Sequence, residues 1–486
     1  MTAVQQAPTP QPPAARTKAP SKAARLMPST VASRVRALTA GVAVALVALI
    51  AVTWVAVGNA RDGVRVIGHD AGPQVVATGD LYFQLTDMDA QLANALLIGR
   101  TPGLGGGRDQ ALKRYEEDRK RAGKALLQAA KLADEDAEEQ TARTVLDALA
   151  RYERVAGQAL MTDQQSGHTA GPPPQRVTVL YRQATDLMKL DLLPKAYNLT
   201  LDNGTLVRHT YESERDAVID GRTWVLVTGL ILLAGLVGLQ LFLAHRFRRL
   251  LNPALALATL VTLVLVAAGT SMLSGQANHL KDAKEDGFDS ILALARARAI
   301  SNSANADQTR FLLDPGRADT YEQVFMSKSQ SVLYLRADNL SAYNQKVQAR
   351  LGGAAGTSSS AGGERILGLL GAEADRSDLR GQDDALRAVL ARYRTFQQDD
   401  FTLREMVAAG RRSEAIELRM GDADRDFRAY DASMLKLIGI HRAAFDKAVD
   451  AGDDGSSGWN VILPVGGLVI LALLLVGVRP RLAEYR

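Results

Sequence analysis

The sequence has no cysteine among its 486 residues. This absence excludes disulfide bridges, cysteine-based zinc sites, thiol catalysis and lipid attachment to cysteine. Aromatic residues are also scarce, at 5% of the chain, whereas alanine, leucine and arginine are abundant. Such a composition is typical of long helices, and no alternating period-two run of useful length is present. We therefore predict an all-α protein with almost no strand.

Charge is missing from four long stretches of the chain. These uncharged stretches are residues 37–60, 223–244, 250–273 and 455–478. Each one reaches the ~20 apolar residues that an α-helix needs to cross the hydrocarbon core of a bilayer. The sequence therefore predicts four transmembrane helices.

The short segments beside these helices are basic. Residues 1–36 contain six prolines and six Lys or Arg but no acidic residue. Basic residues also outnumber acidic ones in 245–249 and 479–486. Because Lys and Arg are retained on the cytoplasmic side, we expect a multi-pass protein of the cell membrane with both termini cytoplasmic. The first segment would be a disordered cytoplasmic arm and 245–249 a cytoplasmic hinge. The polar blocks 61–222 and 274–454 would then both be extracytoplasmic.

Both polar blocks show the apolar spacing of bundle helices. In the second block, one seam passes through Val389, Tyr393 and Phe396 with Asp400 as its polar interruption, and another seam contains His441. Three- and four-residue spacing of this kind marks the buried stripe of a helix. Breakers divide each block: an acidic run at 134–139, and segments with glycine or proline at 101–108, 166–174, 314–316, 352–363 and 410–421. We predict an elongated four-helix bundle in each block.

Short matches link the two blocks. Leu149-Ala150-Arg151-Tyr152 recurs as Leu390-Ala391-Arg392-Tyr393, and Ala90 with Leu96-Leu97 matches Ala306 with Leu312-Leu313. The order of span, polar helices and span is also the same in both halves. We therefore expect two tandem bundles related by internal duplication.

Two resemblances suggest a function. Residues 408–438 (AAGRRSEAIELRMGDADRDFRAYDASMLKLI) resemble the turn between the third and fourth helices in bacterial four-helix-bundle sensor modules, as in chemoreceptors and histidine kinases. The order of arm, span, bundle, basic hairpin, bundle and span resembles the GlnX-type family of four-pass actinobacterial membrane couplers. The second resemblance implies a signal-transduction receptor. An extracytoplasmic solute-binding protein would present glutamate, aspartate or glutamine, and a cytoplasmic Ser/Thr protein kinase would receive the signal.

Arginines are the candidate contact residues. Arg100, Arg310 and Arg317 lie at the ends of the first helices, next to the turns expected to be far from the membrane. Arginine binds carboxylates in a bidentate manner, so these three are candidate ligand or partner contacts, although solvated helix ends are the alternative. On the inner side, Arg246, Arg248 and Arg249 of the hinge are candidates for passing the signal on.

Several other functions lack their sequence signatures. The six histidines are not at metal-ligand spacing, and no P-loop or nucleophile motif is present. We therefore expect no enzyme activity, no metal and no cofactor. Because no basic patch is interleaved with aromatics, we expect membrane lipid but no nucleic acid among the partners. Two alternatives to the coupler stay open: a direct small-molecule sensor with a pocket in the bundles, and a membrane scaffold of the cell envelope.

Overall fold

The computed structural model describes residues 31–131, 136–247, 252–352, 367–375 and 379–483. Within these ranges the chain is helical almost throughout. The strand-type pairing among them is a single isolated antiparallel bridge between Tyr334 and Leu367. The prediction of an all-α protein is therefore confirmed at the level of fold class.

The helices of the first half are long and follow one another closely. They are α1 (Val31–Arg65), α2 (Gly72–Ile98), α3 (Arg108–Lys131), α4 (Asp136–Ser166), α5 (Gln175–Leu187) and α6 (Leu193–Phe247). Two π-helical segments, Val66–Ala71 and Met188–Leu192, join α1 to α2 and α5 to α6 without a break in the helix.

The second half contains more helices than the first. They are α7 (Pro253–Asp282), α8 (Asp289–Leu313), α9 (Ala318–Val332), α10 (Leu340–Leu351), α11 (Leu369–Ala374), α12 (Gln382–Ala408), α13 (Arg412–Met420), α14 (Asp422–Ser456) and α15 (Trp459–Ala483). A π-helical segment, Ala283–Phe288, again joins α7 to α8, and a 3-10 turn, Pro315–Arg317, precedes α9.

The helices end where the sequence contains breakers. Helix α2 stops before Gly99, whose φ of +56° lies in the left-handed region that favours glycine. Helix α8 stops before Asp314-Pro315, because proline lacks the N–H that would continue the helix. The breakers at 101–108, 166–174 and 314–316 thus separate helices as predicted. Most of the breaker at 352–363 lies outside the described residues.

The chain divides into two compact units. An apolar unit contains Met1–Val55, Gly221–Ser271 and Gly458–Arg486, and a polar unit contains Ala56–Asp220 and Met272–Ser457. Four helical stretches are long and apolar enough to cross a membrane: Ser33–His69, Arg208–His245, Pro253–Leu313 and Arg412–Pro480. The chain therefore has the helices of a multi-pass membrane protein.

Within the apolar unit, small residues and amides bring the helices together. A Cβ on Gly229 would meet Val266 Cγ2 at 2.5 Å, so this helix pair approaches as closely as glycine allows. The Gln240 side chain donates to the Leu255 carbonyl at 2.9 Å. Only 28–33% of each apolar window is buried, and exposed side chains such as Leu230 are suited to face lipid.

The polar unit combines both predicted blocks. One hydrophobic core contains Leu92, Tyr152 and Met188 from the first block, together with Leu312 and Ile416 from the second. Another core lies within the second block and is built around aromatic side chains such as Phe396 and Tyr430. The two blocks therefore share buried surface within this unit.

Helices α2 and α8 lie side by side and run parallel at the centre of the polar unit. Asn302 Nδ2 donates to Thr86 Oγ1 at 3.4 Å, and two turns further on Thr309 Oγ1 donates to Asn94 Oδ1 at 2.9 Å. Partners in these contacts are 216 and 215 residues apart in sequence. This contact brings the two halves of the chain together through polar side chains.

Candidate functional site: a buried charge cluster between the two halves

The second half of α8 is buried although it is strongly polar. Side chains from Ser301 to Arg310 are almost all buried, because α2, α9, α13 and α14 pack around this helix. Polar groups removed from water destabilise the fold unless they find hydrogen-bond partners. The contacts made by this segment therefore determine how the two halves are held together.

Arg310 is the centre of these contacts. Its side chain is 2% exposed, and its guanidinium donates to Asp89 Oδ2 on α2 and to Asp307 Oδ1 on its own helix, each at 2.5 Å. The same group donates to the Tyr181 hydroxyl at 3.2 Å. Asp307 precedes Arg310 by three residues, which places the two side chains on one face of α8.

Two lysines complete the arrangement from other elements. Lys189, from the π-helical segment 188–192, donates to Asp307 Oδ1 at 3.0 Å, and Lys328 of α9 forms an ion pair with Asp307 Oδ2. We name Asp89, Asp307, Arg310, Lys189 and Lys328 the charge cluster. It contains two anions and three cations, and the carboxyl groups of both aspartates are fully buried.

Two hydroxyl groups also donate to Asp89, the second carboxylate of the cluster. Thr185 Oγ1 donates to Asp89 Oδ2 at 2.7 Å, and the Tyr152 hydroxyl donates to Asp89 Oδ1 at 3.3 Å. Both donors come from the first block, on α5 and α4. Asp89 therefore links three helices of its own block to Arg310 of the other block.

Burial and mutual attraction shift the pKa values within the cluster. Burial alone would raise the pKa of Asp307, but Lys328, Lys189 and Arg310 hold that pKa well below its ordinary value. Burial lowers the pKa of Lys328 to about 7, despite the neighbouring Asp307. Loss of one proton from Lys328 would bring the net charge of the cluster from +1 to zero. The net charge therefore depends on pH near pH 7.

The three arginines predicted as contacts do not converge on one pocket. Arg310 is buried in the charge cluster. Arg317 is half-exposed and binds Asp186 of α5, with Nη1–Oδ1 at 2.9 Å. Arg100 donates to the carbonyl of Gln164 at 2.7 Å, at the end of α4. A role for any of them in binding a ligand or partner stays a prediction.

The predicted hinge falls at the edge of the described chain. Arg246 belongs to α6, but its side chain is outside the described part, and Arg248 and Arg249 lie outside the described residues altogether. Their proposed role in signalling likewise stays a prediction.

Glycines allow a close approach of helices near two of the π-helical segments. A Cβ on Gly68 would meet Val449 Cγ1 at 2.5 Å, and one on Gly287 would meet Phe445 Cβ at 2.7 Å. A cavity of 470 Å³ lies beside them, lined by apolar side chains and by Asp80, Arg298 and others. Such π-helical distortions are frequent at functional sites.

A second cavity lies along α8 in the polar unit. It has a volume of 340 Å³ and is lined by the rings of Tyr82 and Tyr197 among others. The guanidinium of Arg296 lies 5.0 Å from the centre of the Tyr197 ring. Both cavities have the size and mixed lining of small-molecule sites.

Part of the first half of the chain matches a protein-family model. Residues 63–212 are similar to the family model of the actinobacterial sensor domain. This range contains Asp89, Tyr152 and Lys189, but it ends before α8 and α9. No match is found among curated proteins or among solved structures. The segment of this chain that is similar to a sensor domain therefore contributes Asp89 and Lys189 to the charge cluster.

Proposed function

We propose that this chain is a transmembrane sensor that couples a signal outside the cell to a partner inside it. The similarity of residues 63–212 to a sensor domain carries the proposal. The four membrane-length helices support it, because a sensor of external signals needs a route through the bilayer. In this proposal 61–222 and 274–454 are extracytoplasmic, and both termini with the hinge 245–249 are cytoplasmic.

The proposal includes a tandem duplication of one half. Two of the π-helical segments support it, because Val66–Ala71 and Ala283–Phe288 each follow a membrane-length helix and start 217 residues apart. The α2–α8 hydrogen bonds connect residues 215 and 216 apart, which agrees with that spacing. Matching positions would then face one another across an approximate two-fold axis between α2 and α8.

The charge cluster is the proposed two-state element. It links α2 to α8, and α1 and α7 precede these helices through π-helical segments. A shift of ~1–2 Å between packed helices is typical of signalling transitions. Because buried ion pairs have few acceptable geometries, the cluster would favour discrete arrangements of α2 against α8 over gradual sliding.

We further propose the partners that the GlnX-type resemblance implies. A solute-binding protein carrying glutamate, aspartate or glutamine would dock outside, and a Ser/Thr protein kinase would read the signal inside. The binding protein would dock on the turns of this chain near Arg100 and Arg317. The kinase would contact the cytoplasmic hinge through Arg246, Arg248 and Arg249. The proposal assigns the chain no enzymatic reaction of its own.

A direct small-molecule sensor is the second candidate. It is favoured by the cavities of 470 and 340 Å³ in the polar unit. Titration calorimetry of the full chain in nanodiscs separates the two candidates. Heat released by free glutamate, aspartate or glutamine favours direct sensing, whereas heat released only by a loaded binding protein favours the coupler.

The absence of cysteine allows a clean test of the proposed topology. Asp109→Cys, Arg411→Cys and His245→Cys would each introduce the sole thiol of the chain. We expect a membrane-impermeant maleimide added to whole cells to label the first two, and to label the third only after permeabilisation. Labelling of 109 and 411 on opposite sides of the membrane would refute the proposal.

A further inference from the structure

A third cavity of the polar unit differs from the other two in its lining. It has a volume of 320 Å³, lies between α2, α3, α8 and α14, and is lined mostly by charged and amide side chains. None of the five residues of the charge cluster lines it. Its polarity makes it a distinct site, with different chemistry from the aromatic cavities.

Several of the charged groups around this cavity already have partners. Arg298 binds Asp431 through both nitrogens of its fork, with Nη2–Oδ2 at 2.9 Å. Arg428 binds Asp424 at 2.9 Å. These ion pairs form part of the wall of the cavity. Because their charged groups already bind each other, they have little capacity left to bind another molecule.

Two buried side-chain oxygens in the wall have no partner of their own, although the other oxygen of Asp118 accepts from Arg121 Nη1 at 3.4 Å. Among the residues that the structure describes, Asp118 Oδ2 and Asn305 Oδ1 make no hydrogen bond, although the residues are only 3% and 6% exposed. Asp87 is a neighbouring carboxylate and accepts from Asn302 Nδ2 at 3.3 Å. The amide oxygen of Asn305 is an acceptor, and so is Asp118 when it is ionised, so a hydrogen-bond donor would satisfy both atoms.

A positively charged donor suits this site best. Burial and the neighbouring Asp87, with which Asp118 shares a hydrogen bond, raise the pKa of Asp118 to about 9, against the opposing effect of Arg121. Asp118 is therefore protonated in the empty cavity at neutral pH, and a bound cation would take the place of that proton between the two carboxylates. A metal ion is a poorer fit, since the described residues contain no group of three or more His, Asp or Glu side chains able to hold one.

An unpaired cation lies on the same wall. Arg114 lines the cavity one helical turn before Asp118 on α3, and within the described part of the chain it forms no ion pair. A guanidinium in this position can bind a carboxylate through two parallel hydrogen bonds. The cavity thus has acceptors for an ammonium group and a donor for a carboxylate within about one turn of helix.

We propose that this cavity binds a small α-amino acid, with its ammonium group on Asp118 and Asn305 and its carboxylate on Arg114. The volume of 320 Å³ is at the lower end of ordinary ligand sites and suits a molecule of this size. The proposal rests on the sensor function above in its second form, direct sensing, because the ligand would bind the polar unit itself and not a separate binding protein. A ligand bound here would contact α2, α3, α8 and α14. Because it touches both α2 and α8, its binding would influence how these two helices pack.

The test uses the full chain in nanodiscs and titration calorimetry. The ligand panel contains glycine, alanine, glutamate, glutamine and arginine, with propylamine as an amine lacking a carboxylate and propionate as a carboxylate lacking an amine. We expect at least one amino acid to bind, propylamine to bind more weakly and propionate not to bind. Failure of every amino acid to bind would overturn the proposal, since ordered water alone would then satisfy the acceptors.

Three variants locate the site. Asp118→Asn is expected to weaken amino-acid binding about 10- to 100-fold, because a charge-assisted hydrogen bond to the ammonium group is lost. Arg114→Met is expected to weaken amino-acid binding about 10-fold and to leave propylamine unchanged. Glu116→Gln, on the exposed face of α3, is the matched control and should change neither. Unaltered amino-acid binding by Asp118→Asn would place the ligand elsewhere and refute the site.

The two proposals can fail separately. If thiol labelling supports the topology while no amino acid binds, the ligand site is refuted and the sensor proposal stands. If 109 and 411 are labelled on opposite sides of the membrane, the sensor proposal fails regardless of the calorimetry.

Discussion

Replacing Arg310 by methionine tests whether the charge cluster holds the two halves together. Methionine keeps much of the length of the side chain but removes the charge and all donors. Asp89 would lose the one ion pair that it forms among the described residues, while Asp307 would keep Lys189 and Lys328. The loss of stability therefore comes mainly from Asp89, whose fully buried carboxylate would keep the hydrogen bonds from the hydroxyl groups of Thr185 and Tyr152 but have no cation beside it.

The expected loss of stability is large. Removing one partner from a buried ion pair destabilises a protein by ~3–5 kcal/mol, because the other charge is left uncompensated. Unfolding of the polar unit, with roughly 350 residues, has an entropy of ~0.7 kcal/mol/K at ~2.1 cal/mol/K per residue. We therefore expect the melting temperature to fall by ~4–7 °C.

The assay is thermal unfolding of the full chain in nanodiscs, followed by circular dichroism at one fixed scan rate. Arg317→Met is the matched control, because its pair with Asp186 is half-exposed and such pairs contribute ~0–1 kcal/mol. The double variant Arg310→Met with Asp89→Asn should recover at least half of the loss, since no buried charge remains unpaired. A loss no greater than that of Arg317→Met would refute the proposed role of the cluster.

Two further predictions concern other parts of the polar unit. Burial alone would lower the pKa of His441, but its ion pair with Glu373 raises that pKa above the ordinary value, so the pair stabilises the fold below pH ~6.5 and this contribution is lost as pH rises through the folded pKa. The melting temperature should thus fall more between pH 6 and pH 9 in the native chain than in His441→Gln, and equal slopes would contradict this. Gly287→Ala should destabilise by ~1–3 kcal/mol in a urea titration, because the new Cβ would lie 2.7 Å from Phe445 Cβ. Gly439→Ala, with open space around it, should instead stabilise by ~0.4–1 kcal/mol, and similar effects of the two substitutions would exclude a steric cause.

The apolar seams were predictable because helical periodicity is a local property. Val389, Tyr393, Phe396 and Leu403 are all buried, as their three- and four-residue spacing predicts. His441 also lies in a seam, and it is buried with its ring hydrogen-bonded to the carbonyl of Asp286. Each of these predictions needs only the sequence within one helix.

The charge cluster was not predictable in the same way. Asp307 and Arg310 occur in a polar stretch whose composition is equally typical of a solvated helix face. Its position in the sequence predicts that Arg310 lies next to a turn far from the membrane. The stretch is buried because other helices surround α8. Asp89 is 221 residues from Arg310, and Lys189 is 118 residues from Asp307. No local pattern identifies which distant charges will meet.

The proposed duplication relates the charge cluster to the amino-acid cavity. With matching positions 216 residues apart, the counterpart of Asp89 is Asn305 and the counterpart of Arg310 is Asn94. Asn94 and Asn305 both line the 320 Å³ cavity. Where one side of the α2–α8 contact contains a guanidinium between carboxylates, the other side contains amides, an unpartnered acceptor and a cavity. An ammonium ligand would therefore occupy the place that Arg310 fills in the charge cluster, and its binding would make the two sides of the contact more alike. If the halves arose by duplication, they differ at both of these pairs of positions, and the chain would respond to a ligand because one side of the contact is closed by the protein itself and the other is open.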